Sequence, residues 1–73
     1  MILIDKNSKK SLYLQIYEEI FNQIQEKELT TGDNLIPTRV LAKELGVSRN
    51  TVDQAYSQLV LEGLVVSKRG SGY

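Results

Sequence analysis

Seventy-three residues carry nine Lys+Arg, nine Asp+Glu, and no His, Cys or Trp. A chain this short holds one small domain, because a core of this size buries only about 60% of the surface of the unfolded chain. The missing Cys and His exclude disulfides, Cys/His metal sites, thiol nucleophiles and imidazole acid–base chemistry. With 41% hydrophobic and 25% charged residues, the composition is globular rather than disordered. No apolar run approaches the roughly 20 residues of a membrane span. The opening Met1-Ile2-Leu3-Ile4-Asp5 is too short for a signal peptide, so a cytoplasmic location is expected.

The first ten residues show no period and predict an extended lead-in, with Ile2, Leu3 and Ile4 packing on the domain or on a second copy, or simply a frayed end. Over residues 11–29 the pattern turns helical. Leu12, Tyr13, Ile16, Tyr17, Ile20, Phe21 and Ile24 recur at three- and four-residue steps, with Glu18, Glu19, Gln23, Gln25 and Glu26 on the other side. Turn formers follow at Thr30-Thr31-Gly32-Asp33-Asn34. Pro37 then suits the entry to a second helix over 38–45, which buries Val40 or Leu41, Ala42 and Leu45 and ends at Gly46. Val47 is a buried link and Ser48 the natural N-cap of a third helix over 49–62, with Val52, Ala55, Tyr56 and Leu59 on one face. Gly63 closes that helix. Residues 64–67 predict a strand, 68–72 a glycine-rich turn, and Tyr73 the start of a returning strand, as expected of a fragment of a longer protein.

Two helices joined by a short glycine turn form the helix-turn-helix pattern. Ala42 is small enough for close helix approach, Gly46 allows the sharp turn, and Val52 fills the wedge. With the long helix in front and a strand–turn–strand behind, the fold class is mainly α with a small β-wing, a three-helix winged helix-turn-helix over residues 1–73. Charge placement agrees. Residues 1–38 hold four cations against six anions, a balance of −2, while residues 39–73 hold five against three, +2, and include all three arginines. In such a unit the N-terminal end of the third helix enters the major groove. Arg49, Asn50 and Gln54 are the candidates for base edges, through guanine and adenine pairing. Arg39, Thr51, Lys68 and Arg69 are the candidates for phosphate, with Ser48 a second short hydroxyl and Gly70 and Gly72 letting the wing pass close to a groove wall.

The stretch from Leu35-Ile36-Pro37-Thr38-Arg39 through Leu41-Ala42-Lys43-Glu44-Leu45-Gly46-Val47-Ser48-Arg49-Asn50-Thr51-Val52 resembles the DNA-binding signature of GntR-family bacterial transcription regulators. The likeness continues through Ala55-Tyr56, Gln58-Leu59 and Glu62-Gly63-Leu64 to Arg69-Gly70-Ser71-Gly72, and backward to Tyr13-Leu14-Gln15-Ile16-Tyr17. Ser48 to Val52 followed by Ala55-Tyr56 is most similar to the MocR branch, with the YtrA branch a near rival. The resemblance implies the operator-reading domain of a ligand-responsive regulator, a homodimer on double-stranded DNA with two half-sites. Family phosphate and base contacts fall on positions matching Arg39, Ser48, Arg49, Asn50, Thr51, Arg69 and Gly70. A MocR-like parent would carry pyridoxal phosphate in a C-terminal domain of aminotransferase fold, and no cofactor is expected in this chain. The sequence departs from the family at Ile36, where many members have proline, and at Asp53, where several have arginine; an acid there repels phosphate or accepts from cytosine N4.

Other classes fit less well. A winged helix serving as a protein-interaction module would show no basic contact face. RNA readers display aromatic stacking surfaces, whereas the four Tyr and one Phe here fall mostly on predicted buried faces. Gly70-Ser71-Gly72 opens no helix and so makes no nucleotide cradle. No acid pair or nucleophile–base set can be assembled, which argues against an enzyme.

Overall fold

The computed structural model describes residues 2–67, which form three helices: α1, Leu12–Gln25; α2, Thr38–Leu45; and α3, Arg49–Leu61. The third helix is the centre. Both α1 and α2 pack against it rather than against each other. Its apolar face supplies Val52, Ala55, Tyr56 and Leu59, each 1% exposed or less; α1 adds Ile16 and Ile20, and α2 adds Leu41 and Ala42. Leu41, not Val40, is the α2 residue that turns inward, since Val40 is 45% exposed. Leu45 and the link residue Val47 are half-buried against the same cluster.

All three helices end in the same way. One residue takes a left-handed conformation, and the chain folds an apolar residue back onto the core. At α2 this residue is Gly46 (φ 67), with its N–H on the Lys43 carbonyl and the Val47 N–H on the Ala42 carbonyl. At α3 it is Gly63 (φ 75), and Leu64 returns. At α1 it is Lys27 (φ 62), a residue with no glycine-like freedom. The helix expected over 11–29 therefore stops at Gln25. In a continued helix Leu29 would lie about 140° around the axis from Ile24. The turn at Lys27 lets both side chains pack against the core.

The N-terminal segment is docked, not frayed. The side chain of Gln15 accepts from the Asp5 N–H at 2.7 Å and donates to the carbonyls of Asp5 and Lys10 at 3.0 and 2.9 Å. Lys6 donates through Nζ to the Gly46 carbonyl at 2.9 Å, across 40 positions of sequence. Ile2 and Ile4 pack against the core while Leu3 is 70% exposed. Glu18 pairs with Lys10 at 2.6 Å. Tyr17, half-buried beside the core and 5.9 Å from the Phe21 ring, donates its hydroxyl to Glu62 just past α3.

The strand expected over 64–67 does not form among the described residues: that segment is irregular, with Leu64 and Val65 half-buried and Val66 exposed. A strand exists only by pairing, and the expected partner, like the glycine-rich turn of residues 68–72, lies outside the described residues.

Two positive-φ sites give predictions of opposite sign. Gly46→Ala forces a side chain into a left-handed conformation and brings its Cβ to 2.9 Å from Lys6 Nζ; it should cost about 1 kcal/mol or more in urea unfolding. Lys27→Gly relieves the same strain and should gain about 0.5–1 kcal/mol. The Tyr17–Glu62 bond predicts a pH signature. Hydroxyl donation from Tyr17, then amide donation from Gln58, hold the Glu62 carboxyl below its ordinary pKa. That same bond, then burial and the charges of Glu62 and Glu18, push the Tyr17 hydroxyl up. A lowered carboxyl pKa stabilises the fold above its unfolded value and is lost as pH falls through the folded one. A raised phenol pKa stabilises below its unfolded value and is lost as pH rises through the folded one. The stability advantage of the wild type over Tyr17→Phe should therefore be greatest between the carboxylate and phenol ranges and shrink at both ends. A difference constant from about pH 3 to about pH 11 would contradict this link.

Candidate nucleic-acid interface

The face of α3 opposite the core is built by helical spacing. At 100° per residue, Val52, Ala55, Tyr56 and Leu59 occupy an arc of about 100°; Arg49, Asp53, Ser57, Asn50 and Gln54 fall in another of about 140°, with Arg49 at its edge beside Tyr56 and Asn50 and Gln54 on the far side. Arg49, Asn50, Gln54 and Ser57 are exposed, and Thr51 and Asp53 are half-buried. Burying one stripe therefore presents the other.

The start of α3 is tightly specified. Ser48 is extended (φ −70, ψ 151), and its Oγ accepts the Thr51 N–H at 3.2 Å while lying 2.9 Å from the Thr51 hydroxyl. The two candidate phosphate hydroxyls, Ser48 and Thr51, are thus brought together, with the Ser48 oxygen already used as a cap. Val47 and Val52, the positions of a hydrophobic staple, both pack into the core and set the angle at which the chain enters the helix. The amides of Arg49 and Asn50 precede any intrahelical acceptor and remain available to an anion.

The second helix is held in register with the third by two contacts. Tyr56, buried on α3, donates its hydroxyl to the Ile36 carbonyl just before Pro37. Arg49 donates through Nε to the hydroxyl of Thr38 at 3.2 Å, and Thr38 is 7% exposed. The same Nε lies 4.0 Å from the carboxylate of Asp53, one turn along. Arg39 is exposed on the first turn of α2. Arg39, Ser48, Arg49, Asn50, Thr51 and Gln54 thus all sit at the start of α2 or on the first two turns of α3 and its cap. Lys68, Arg69 and Gly70 lie outside the described residues.

Sequence reasoning took Thr38 only as a helix start and did not anticipate its bond to Arg49, a contact between residues eleven apart that carries no periodic signal. The Arg49–Asp53 pairing had a signal, because opposite charges four residues apart meet on a helix. A groove of about 700 Å³, lined by Ile24, Leu29, Leu35, Leu64, Val65 and others, lies between the α1–α2 loop and the chain after α3. It is at the far end of α3, about 20 Å along the axis from Arg49 by helical rise, and is separate from this face. Among the described residues, no cluster of three or more acids could hold a metal, and no helix is long and apolar enough to cross a membrane.

Residues 12–73 match the family model described as bacterial regulatory proteins, gntR family. The chain is 39% identical over 72 residues to the probable rhizopine catabolism regulatory protein MocR of Rhizobium meliloti, covering 99% of this chain and 15% of that protein. Among solved structures it is similar to YtrA from Sulfolobus acidocaldarius, a GntR-family transcription factor, with a TM-score of 0.86 and 45% identity over 92% of this chain and 71% of that one. It is also similar to the DNA-binding domain of AraR in complex with operator ORE1, with a TM-score of 0.81 and 28% identity over 99% of this chain and 88% of that one. The fold, the signature running from Leu35 to Leu64 and these likenesses converge: the chain belongs to the GntR family of bacterial regulatory proteins.

Proposed function

We propose that this chain is the operator-reading domain of a transcription regulator, binding double-stranded DNA with the start of α3 in the major groove. The observation that carries the reading is the convergence of Arg39, Ser48, Arg49, Asn50, Thr51 and Gln54 around one capped helix start, on a fold shared with a domain solved on its operator. Arg49, Asn50 and Gln54 carry the groups that read guanine and adenine edges. Arg39, Ser48, Thr51 and the α3 amides set the register on phosphate, with Lys68, Arg69 and Gly70 supplying the wing contacts. A protein-docking module would need an apolar outer face on α3; that face instead carries Arg49, Asn50, Gln54 and Ser57.

Two copies on two half-sites would give the parent protein its affinity, since one domain of zero net charge attracts DNA weakly. Such a reader works in the cytoplasm, beside the chromosome. Catalysis has no place in this reading. Pyridoxal phosphate, which a MocR-like parent would carry, needs a lysine in an enclosed pocket. The described lysines, Lys6, Lys9, Lys10, Lys27 and Lys43, are all exposed, so these residues do not fit the group. It would be held elsewhere in the parent.

Binding to a duplex library across a salt series tests the proposal. Affinity should fall steeply with salt. Arg39→Ala should weaken binding to every sequence alike and reduce the log–log salt slope by about 1. Arg49→Ala should relax the preference at one base position, at a cost of about 1–3 kcal/mol in discrimination. Binding that ignores salt, or an Arg39→Ala variant with altered sequence preference, would contradict the assignment.

A further inference from the structure

The guanidinium of Arg49 is engaged on one edge only. Its Nε donates to Thr38 at 3.2 Å and lies 4.0 Å from the Asp53 carboxylate. Among the described residues, its two terminal amino groups have no hydrogen-bond partner. Thr38 is buried at the start of α2 and cannot follow a moving arginine. The Arg49 and Asp53 side chains remain 57% and 41% exposed, so the pair lies at the surface where a duplex would arrive. A guanidinium is a rigid planar fork, so holding its Nε edge fixes the direction of the terminal pair. An unrestrained arginine, by contrast, loses much rotamer freedom on binding.

We propose that Asp53, together with Thr38, is a positioning residue that holds Arg49 with its terminal amino groups free for a guanine edge, so that Asp53 sets specificity without itself touching DNA. The inference rests on the reading of Arg49 as a base contact. It also explains why a carboxylate stands on a face that approaches a polyanion. Asp53 lowers affinity for every duplex by charge repulsion, and it improves the ratio between right and wrong sequences by fixing the arginine. Specificity is that ratio, and a repulsive group can serve it.

The test is a double-mutant cycle on the 73-residue chain, read by selection from a randomised duplex library and by binding to an unselected duplex. Arg49→Ala should remove roughly a tenfold to hundredfold guanine preference at one position. Asp53→Ala should reduce the same preference at the same position about two- to fivefold, while raising affinity for unselected duplex. The double variant should be no less selective than Arg49→Ala alone. Thr38→Val, which removes the hydroxyl but no charge, should lower the same preference without raising affinity for unselected duplex, and Thr38→Ser, which keeps the hydroxyl, should restore selectivity. A purely structural loss would instead weaken binding to all duplexes together, and would overturn the proposal. So would an unchanged preference in Asp53→Ala, or a loss that persists in the Arg49→Ala background, since Asp53 would then read a base itself. If Arg49→Ala leaves every preference intact, the base-reading role of Arg49 falls, and this inference with it.

Discussion

One helix serves two purposes in this domain, and the rest of the structure follows from that constraint. The buried stripe of α3 is half of the core, and both other helices pack against it rather than against each other. The chain has no cysteine, so no disulfide supplements that packing. The opposite stripe is therefore presented by a face that cannot rotate without unpacking the domain. The Ser48 cap and the Gly46 turn then set where the helix begins, and so which side chains lie on its first turn. The same helix that stabilises the fold aims Arg49, Asn50 and Gln54.

The polar contacts reinforce this arrangement at its weak points. Tyr56 reaches from the core to the Ile36 carbonyl, fixing the chain just before α2. Thr38 and Arg49 link the first residues of α2 and α3. Lys6 closes the C-terminal end of α2 from the N-terminal segment, and Gln15 holds that segment against α1. Zero net charge over the chain conceals a scaffold half that is acidic and a second half that holds every arginine. With so small a surplus, geometry at the start of α3 matters more than the overall field.

Much of this was legible in the residues. The bounds of α2, the beginning of α3, the αL turn at Gly46, the Ser48 cap and the four-residue core stripe of α3 follow from spacing and local chemistry, and the structure has them as read. The end of α1 was not, because its left-handed residue is Lys27, which gives no signal of that conformation. The docking of the N-terminal segment was offered only beside a frayed alternative, since the Gln15 and Lys6 bonds join distant positions without any period. The strand over 64–67 depends on a partner outside the described residues, and the wing candidates Lys68, Arg69 and Gly70 lie there too. The Arg49 partners show the division plainly: Asp53 stands at a spacing that announces a pair, whereas Thr38 reaches Arg49 only through the tertiary fold.

The central claim is that the capped start of α3 and the first turn of α2 form the surface that meets DNA. Backbone amide shifts of the labelled chain, followed by NMR as duplex is added, test it most directly. The largest changes should fall at Arg39, at Ser48 to Thr51 and at Gln54, with the α1 residues Glu18 and Glu19 and the groove residues Leu29 and Leu35 little altered. Changes centred on that groove or on α1, with the start of α3 unmoved, would contradict the account.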